Sequence, residues 1–413
     1  MSEKAQKIIE EIDLEVTALG NKRIEEFVGT GSDLLNIISG GGYEKGTIVN
    51  IIGDSSTGKT FLAAEAVYQA KLRYGKKVKV RYLDKEKGFK FDTKEMYGYD
   101  IREDLVKGVS SIQEFAADYG AFLKKLKNDQ FGFYILDSFD SICSDSDLEE
   151  YDARVSEYEK GKNYTKGSMD MQKQKYSSKF FRTISDMTAE KNVVLIIISQ
   201  IRDNVGEMYG TKWKVSGGKA LQFYSSLRIF LKRKEEFKIT GYDKVERTFG
   251  YCLEAKSLKS RCKWPNRSCY INIFYNTGLD NISSNIDYLF SLKDTNGRLT
   301  PALCKNIQWT QQSASEITSD VLKKFVKEHN KTKELKEFTA RATISKILEF
   351  INTDKELRDD FIEQFGVMDR EMLIEYIQDN DLEDFLTKRV IKLWQDNEKI
   401  IIPKRKKKAL NEV

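Results

Sequence analysis

A single histidine in 413 residues, His329, is the sharpest absence in the sequence. Ser-His-Asp and Cys-His catalysis and histidine-rich metal centres each need an imidazole built into a site. His329 lies in the polar helical stretch VKEHNKTKELKE and reads as solvated, so these classes are excluded. Five cysteines, at 143, 252, 262, 269 and 304, form no CxxC pair. That spacing argues against a zinc ribbon or a disulfide framework and for a reduced, cytoplasmic protein. No signal peptide is expected at either terminus, and no apolar run approaches the roughly 18 residues of a membrane span, so no membrane partner is expected. Internal repeats and low-complexity linkers are missing too. The net charge of +5, with 32% charged residues, permits a polyanionic partner without requiring one.

What is present is a series of short β-rich apolar runs that alternate with helical patterns: GTIVNIIG at 46–53, KVKVRYLD at 77–84, GFYILDS at 132–138 and NVVLIIISQ at 192–200. The alternation predicts an α/β fold with a mostly parallel central sheet and helices on both faces. Between the second and third runs, Ile112, Phe115, Ala116, Phe122, Leu123 and Leu126 share one helical stripe, and Ser111 with Glu114 has capping-box spacing. This is a crossover helix. Three later runs, at 226–234, 251–259 and 268–276, have no long helix between them and predict an antiparallel extension of the sheet. The expected division is a short N-terminal helical segment at 1–28, a core at 29–295 and a small helical domain at 296–413. The basic tail PKRKKKAL is a solvated terminus, an auxiliary nucleic-acid contact or a localisation signal.

The stretch GDSSTGKT at 53–60 matches G-x-x-x-x-G-K-[ST], which arises by chance at about one position in a few tens of thousands. It follows a strand and opens the helical run TFLAAEAVYQAKLRYG, the context a phosphate loop needs. Gly53, Asp54, Ser55, Ser56, Thr57, Gly58, Lys59, Thr60 and Phe61 are therefore expected to surround a nucleotide. Backbone N–H groups would turn around phosphate oxygens, Lys59 would reach the β and γ phosphates, and Thr60 would help hold Mg²⁺. Asp137, at the end of the apolar strand FYILDS, is the candidate second magnesium residue. Glu86 follows the intervening strand, where it orients an attacking water or is a surface residue among lysines.

Residues 199–231, SQIRDNVGEMYGTKWKVSGGKALQFYSSLRIFL, decide between these readings because they strongly resemble the RecA recombinase family. The family pattern places N-Q-[IL]-R at a strand end, then a glycine-containing loop, then G-G-x-A-L-x-F-Y-[AS]-S-x-R. Gln200, Arg202, Gly217, Gly218, Ala220, Leu221, Phe223, Tyr224, Ser226 and Arg228 carry the match here. The similarity takes in 29–60 and extends to about residue 290. It implies a RecA-like P-loop ATPase core that uses ATP and Mg²⁺, coats single-stranded DNA as a helical homo-oligomeric filament, and pairs it with a homologous duplex. Single-strand-binding and loader proteins are possible partners.

Carried onto this sequence, the resemblance makes Glu86 the residue that activates water and Gln200 the sensor of the γ-phosphate. Lys259 and Arg261, counted back from Pro265, become cations that reach ATP bound by a neighbouring subunit, and Phe223 packs on that neighbour. DNA loop two maps to about 202–218 and loop one to about 150–182. Ser178, Arg182, Arg202, Gly217 and Gly218 match phosphate-contacting positions, and Val205 falls where an apolar wedge separates base triplets. Trp213 between Lys212 and Lys214 is this sequence's own addition, suited to base stacking or to burial in a protomer interface. Loop one is enlarged, and Lys162, Lys166 and Lys173 are its candidate DNA contacts. Thr93 and Lys90 stand where relatives recognise the base, and the N-terminal segment offers no obvious strand. These departures favour a bacteriophage-encoded recombinase. The competing expectations are a ring-forming RecA-fold helicase or translocase, a nucleotide-binding regulator, and a small-molecule kinase that would explain the phosphate loop alone.

Overall fold

The computed structural model describes residues 26–87, 92–160, 172–203, 213–215, 218–262, 264–290, 319–329, 344–365 and 370–401. They belong to two compact units, divided between Asn281 and Ile282.

In the first unit, β1 (Phe27–Val28) and β2 (Tyr43–Glu44) flank α1 (Asp33–Ser39) and pair antiparallel as a small separate sheet. The sequence offered no strand here, because two residues carry no period. The main elements follow: β3 (Ile48–Gly53), α2 (Lys59–Tyr74), β4 (Val78–Asp84), α3 (Thr93–Tyr97), α4 (Ile112–Lys125) and β5 (Phe131–Asp137). Next come α5 (Asp145–Glu159), α6 (Gln172–Glu190), β6 (Val194–Asp203), β7 (Trp213–Val215) and α7 (Gly218–Tyr224). The unit closes with β8 (Leu227–Thr240), β9 (Glu246–Ser260), β10 (Ser268–Phe274) and β11 (Gly278–Asp280).

One nine-stranded sheet runs β11-β10-β9-β8-β3-β6-β5-β4, with β7 added on β6. Its half from β8 to β4 is parallel and its other half is antiparallel, as the spacing of helices between the apolar runs predicts. Strands β3 and β5 are buried along their whole length, which is why they read as unbroken apolar runs and not as alternating ones. Asn50 is the polar exception in β3, and its amide donates to the Ile197 carbonyl and to Ser199 Oγ at 3.0 and 2.9 Å.

Helix α4 starts on the predicted capping box, with Ser111 Oγ accepting from Glu114 N–H and the Glu114 carboxylate accepting in return. Its Phe115 meets Tyr134 of β5 and Phe180 of α6 edge to face, with centroids 5.5 and 5.2 Å apart. Tyr119 joins this core and hydrogen-bonds Thr188 at 2.9 Å. Among the described residues of the loop-one region, 150–159 lie in α5 and 172–182 in α6. Helix α5 buries none of its side chains.

The second unit is helical throughout its described residues: α8 (Asn281–Leu289), α9 (Ser319–His329), α10 (Ile344–Asn352), α11 (Lys355–Phe365), α12 (Arg370–Asp379) and α13 (Glu383–Ile401). Buried Arg358 holds it together through ion pairs with Glu375 at 3.3 Å and with Asp379. His329 is half-buried and not freely solvated. Its ring stacks on Phe325, one helical turn earlier, with centroids 4.3 Å apart.

Candidate nucleotide and nucleic-acid sites

The phosphate loop joins the central strand β3 to α2, and two of its glycines are required by their surroundings. A Cβ on Gly53 would lie 2.5 Å from Thr57 Oγ1 and 2.9 Å from the Leu231 carbonyl oxygen. Gly58 has φ +82° and would meet the Tyr251 hydroxyl at 2.9 Å. The loop closes on itself, because Thr57 Oγ1 and Lys59 Nζ both donate to the Asp54 carbonyl. Asp54, Ser55 and Ser56 are exposed, whereas Lys59 is buried. Burial lowers the Lys59 ammonium below its ordinary pKa, opposed by Glu86, Asp137, Asp54 and Asp140. Open N–H groups at the start of a sixteen-residue helix and an adjacent buried cation make a site for a polyanion. Phe61 lies in the first turn of α2, half-buried, facing Gly278.

Thr60 Oγ1 donates to Asp137 Oδ2 at 2.6 Å, and the Tyr82 hydroxyl donates to the same oxygen at 2.9 Å. Burial pushes the Asp137 carboxyl up to about 6, with smaller contributions from Glu86 and Asp84, while the two hydrogen bonds oppose the rise. This hydroxyl and carboxylate are hard oxygen donors beside the phosphate loop and fit a divalent cation such as Mg²⁺. Among the described residues no cluster of three or more His, Cys, Asp or Glu forms a metal cage. Thr60 and Asp137 would hold such an ion together with oxygens of phosphate and water.

Glu86 stands exposed just past β4. Its Oε1 accepts from Ser138 Oγ and from Gln200 Nε2, the latter at 2.7 Å. The parallel order β3-β6-β5-β4 brings Lys59, Glu86, Asp137 and Gln200 to the carboxyl ends of neighbouring strands. The Gln200 backbone N–H donates to Asp140 Oδ2 at 2.7 Å. Ser138 and Asp140 were not predicted. The only signal for them was a polar turn, DSFDS, directly after the apolar strand.

Beyond Gln200, β6 continues into Arg202, which pairs with Lys214 of β7, while Asp203 pairs with Trp213. Two basic residues and the added tryptophan thus root loop two in a short hairpin. Val205, Lys212 and Gly217 lie outside the described residues, as do Lys90, Lys162 and Lys166. Gly218 opens α7 with φ +61°. Ser178 and Arg182 are exposed, four residues apart on α6. Lys173 is turned inward, and its ammonium donates to the Phe139 carbonyl at 2.9 Å. Thr93 is buried, with its hydroxyl accepting from Ile101 N–H at 3.1 Å.

A second group of predicted residues gathers elsewhere. Lys259 Nζ donates to the carbonyls of Gln222 and Phe223 at 2.8 and 2.7 Å, and Arg261 donates to the Phe223 carbonyl at 3.4 Å. The cations satisfy the open carbonyl end of α7. Burial lowers the Lys259 pKa, and the neighbouring charges of Arg261 and Arg228 add to the effect. Phe223 between them is 66% exposed. Gly53 is level with Leu231 and Ala255 across the sheet, so Lys259 lies four residues further along β9, about 13 Å from the phosphate-loop level. Lys259 and Arg261 do not meet Lys59 within one chain.

The family model of the RecA N-terminal domain matches residues 10–280, which include every site described above. The chain belongs to the RecA family. It is 29% identical to Protein RecA of Phytoplasma mali over 275 residues, covering 66% of this chain and 74% of that one. Protein RecA of Acholeplasma laidlawii is also 29% identical, over 272 residues, covering 66% and 75%. Protein RecA of Mycoplasma mycoides is 26% identical over 321 residues, covering 75% and 86%. These RecA matches reach well beyond the phosphate loop, so the nucleotide-binding fold is shared together with the sheet extension that carries Lys259 and Arg261.

Proposed function

We propose that this chain polymerises on single-stranded DNA and uses ATP to promote homologous pairing and strand exchange. RecA-family membership makes it an ATP-dependent recombinase of DNA recombination and repair, and hence a DNA-dependent ATPase. The observation that carries the finer reading is Gln200: its side chain is bonded to Glu86 in the nucleotide site, and its backbone leads directly into the loop-two hairpin. One residue therefore answers to the nucleotide and to DNA.

In this reading the loop from Gly53 to Phe61 holds the triphosphate, and Lys59 neutralises it. Thr60 and Asp137 would hold Mg²⁺, which would supply charge neutralisation at the phosphates. Glu86 orients the attacking water. Gln200 exchanges its hydrogen bond to Glu86 for one to the γ-phosphate, so ATP holds the DNA-binding state and hydrolysis releases it. Lys259 and Arg261, too far along the sheet to serve their own chain, stabilise charge on ATP bound by the adjacent protomer, against which Phe223 packs. Arg202, Val205, Lys212, Trp213, Lys214, Gly217 and Gly218 of loop two, with Ser178 and Arg182 of α6, contact the DNA backbone and bases. Loader and single-strand-binding proteins would share this DNA.

The test is ATP turnover with and without long single-stranded DNA over a range of protein concentrations, with Lys59→Ala as control. Strong stimulation that rises cooperatively with concentration and vanishes in Lys59→Ala is expected, together with strand exchange between homologous substrates. Turnover indifferent to DNA would sink the reading.

A further inference from the structure

The turn that follows the buried magnesium residue is tied to more than the nucleotide. Phe139–Ser141 forms a single 3₁₀ turn directly after Asp137 and Ser138. Ser138 Oγ donates to the Glu86 carboxylate. Asp140 Oδ2 accepts the backbone N–H of Gln200 at 2.7 Å, so the turn grips loop two at its root. The Phe139 carbonyl accepts from Lys173 Nζ at 2.9 Å, and the same ammonium lies 4.8 Å from the centre of the Phe139 ring. Phe139 is also buried against Phe181 of α6, with centroids 6.3 Å apart. Lys173 is the second residue of α6 and lies within the loop-one region.

We infer that the turn Ser138–Ser141 is a coupling junction that links the nucleotide site to both DNA loops, with Asp140 and Lys173 as its positioning residues. This rests on the recombinase reading above and adds the route by which loop one is informed of the nucleotide. The physical basis is the double attachment of Gln200. Its side-chain amide is held by Glu86 and its backbone by Asp140, so a change of side-chain partner stresses a main-chain bond to the turn. Phe139, the residue before Asp140, passes that stress to α6 through a charge-assisted bond and a buried ring contact. A lysine read from sequence as a DNA contact is thereby assigned to signalling within the protein.

The experiment compares full-length wild type with Asp140→Ala, Asp140→Asn, Lys173→Met and Lys173→Arg. ATP turnover and KM for ATP are measured without DNA and with saturating single-stranded DNA, and DNA affinity is measured with ATP and with ADP. Thermal denaturation verifies that each variant is folded. Asp140→Ala and Lys173→Met should keep DNA-free turnover and KM for ATP within about twofold of wild type, while DNA stimulation falls roughly 3- to 30-fold and the ATP–ADP affinity gap narrows. Lys173→Arg and Asp140→Asn, which retain a donor and an acceptor, should recover most of the stimulation. Full stimulation in both Asp140→Ala and Lys173→Met would overturn the inference. So would equal loss of DNA-free and DNA-stimulated turnover, the mark of a damaged nucleotide site. A wild type that DNA does not stimulate would instead remove the recombinase reading, and the junction with it.

Discussion

Asp137 concentrates the physical conflict of the nucleotide site into one carboxyl group. It is 4% exposed, it lies near Glu86 and Asp84, and burial raises its pKa from 3.8 to about 6. The folded protein therefore holds this proton more tightly than the unfolded chain does. The resulting stabilisation is fully present below about pH 4 and is lost as pH rises through about 6, a loss of roughly 3 kcal/mol by neutral pH. A divalent cation bound at Thr60 and Asp137 reverses the balance, because it favours the ionised carboxylate that burial disfavours. Proton and metal thus compete. Below about pH 6, Mg·ATP affinity should weaken by about tenfold per pH unit beyond the loss seen in Asp137→Asn, which carries no titrating group there. Calorimetric titration of both proteins with Mg·ATP between about pH 5 and pH 7 reads this difference. Parallel pH profiles would show that Asp137 does not meet the ion.

At the scale of elements, the capping box of α4 is the clearest case of a local signal that the fold obeys. Ser111 is fully buried and accepts from Glu114 N–H at 3.1 Å, so Ser111→Ala leaves an N–H without its partner at the helix start. The expected loss is about 1 kcal/mol, seen as a fall of roughly 2–4 °C in Tm, with nucleotide affinity unchanged. The main strands and α2 were as legible as this helix, because a sheet covered on both faces demands apolar runs and a phosphate loop demands its glycines. Three things were not legible. The strands β1, β2 and β7 are two or three residues long, too short for any period to show. Helix α5 of the loop-one region buries none of its side chains, so no apolar stripe announced it. Ser138 and Asp140 acquire meaning only through Glu86 and Gln200, which the strand order β6-β5-β4 brings beside the turn from 52 and 60 residues away. The bond from Lys173 to the Phe139 carbonyl was hidden for the same reason, because a lysine beside a loop looks solvated until its partner is known.

At the scale of the assembled molecule, the deciding quantity is the distance between the two groups of residues to which the proposed function gives ATPase roles. Lys59, Glu86, Asp137 and Gln200 share the carboxyl ends of the parallel strands, whereas Lys259 and Arg261 cluster with exposed Phe223 about 13 Å away along the sheet. A lysine side chain does not span that gap, so on the proposed reading these cations serve the site of a second chain in a head-to-tail contact, and such contacts build filaments. The arrangement predicts a gain of function on mixing two inactive proteins. Lys59→Ala leaves the cations intact but spoils its own phosphate loop, and Lys259→Ala does the reverse. Each alone should hydrolyse ATP poorly on single-stranded DNA. In an equal mixture, a Lys259→Ala loop next to a Lys59→Ala neighbour regains both halves, which occurs at about a quarter of random contacts, so turnover should rise toward about a quarter of the wild-type rate. Dilution below the assembly concentration should abolish the recovery. If the mixture were only as active as the sum of its parts, while each variant still bound DNA, Lys259 would act within its own chain or not at all, and the filament would need another explanation for its ATPase.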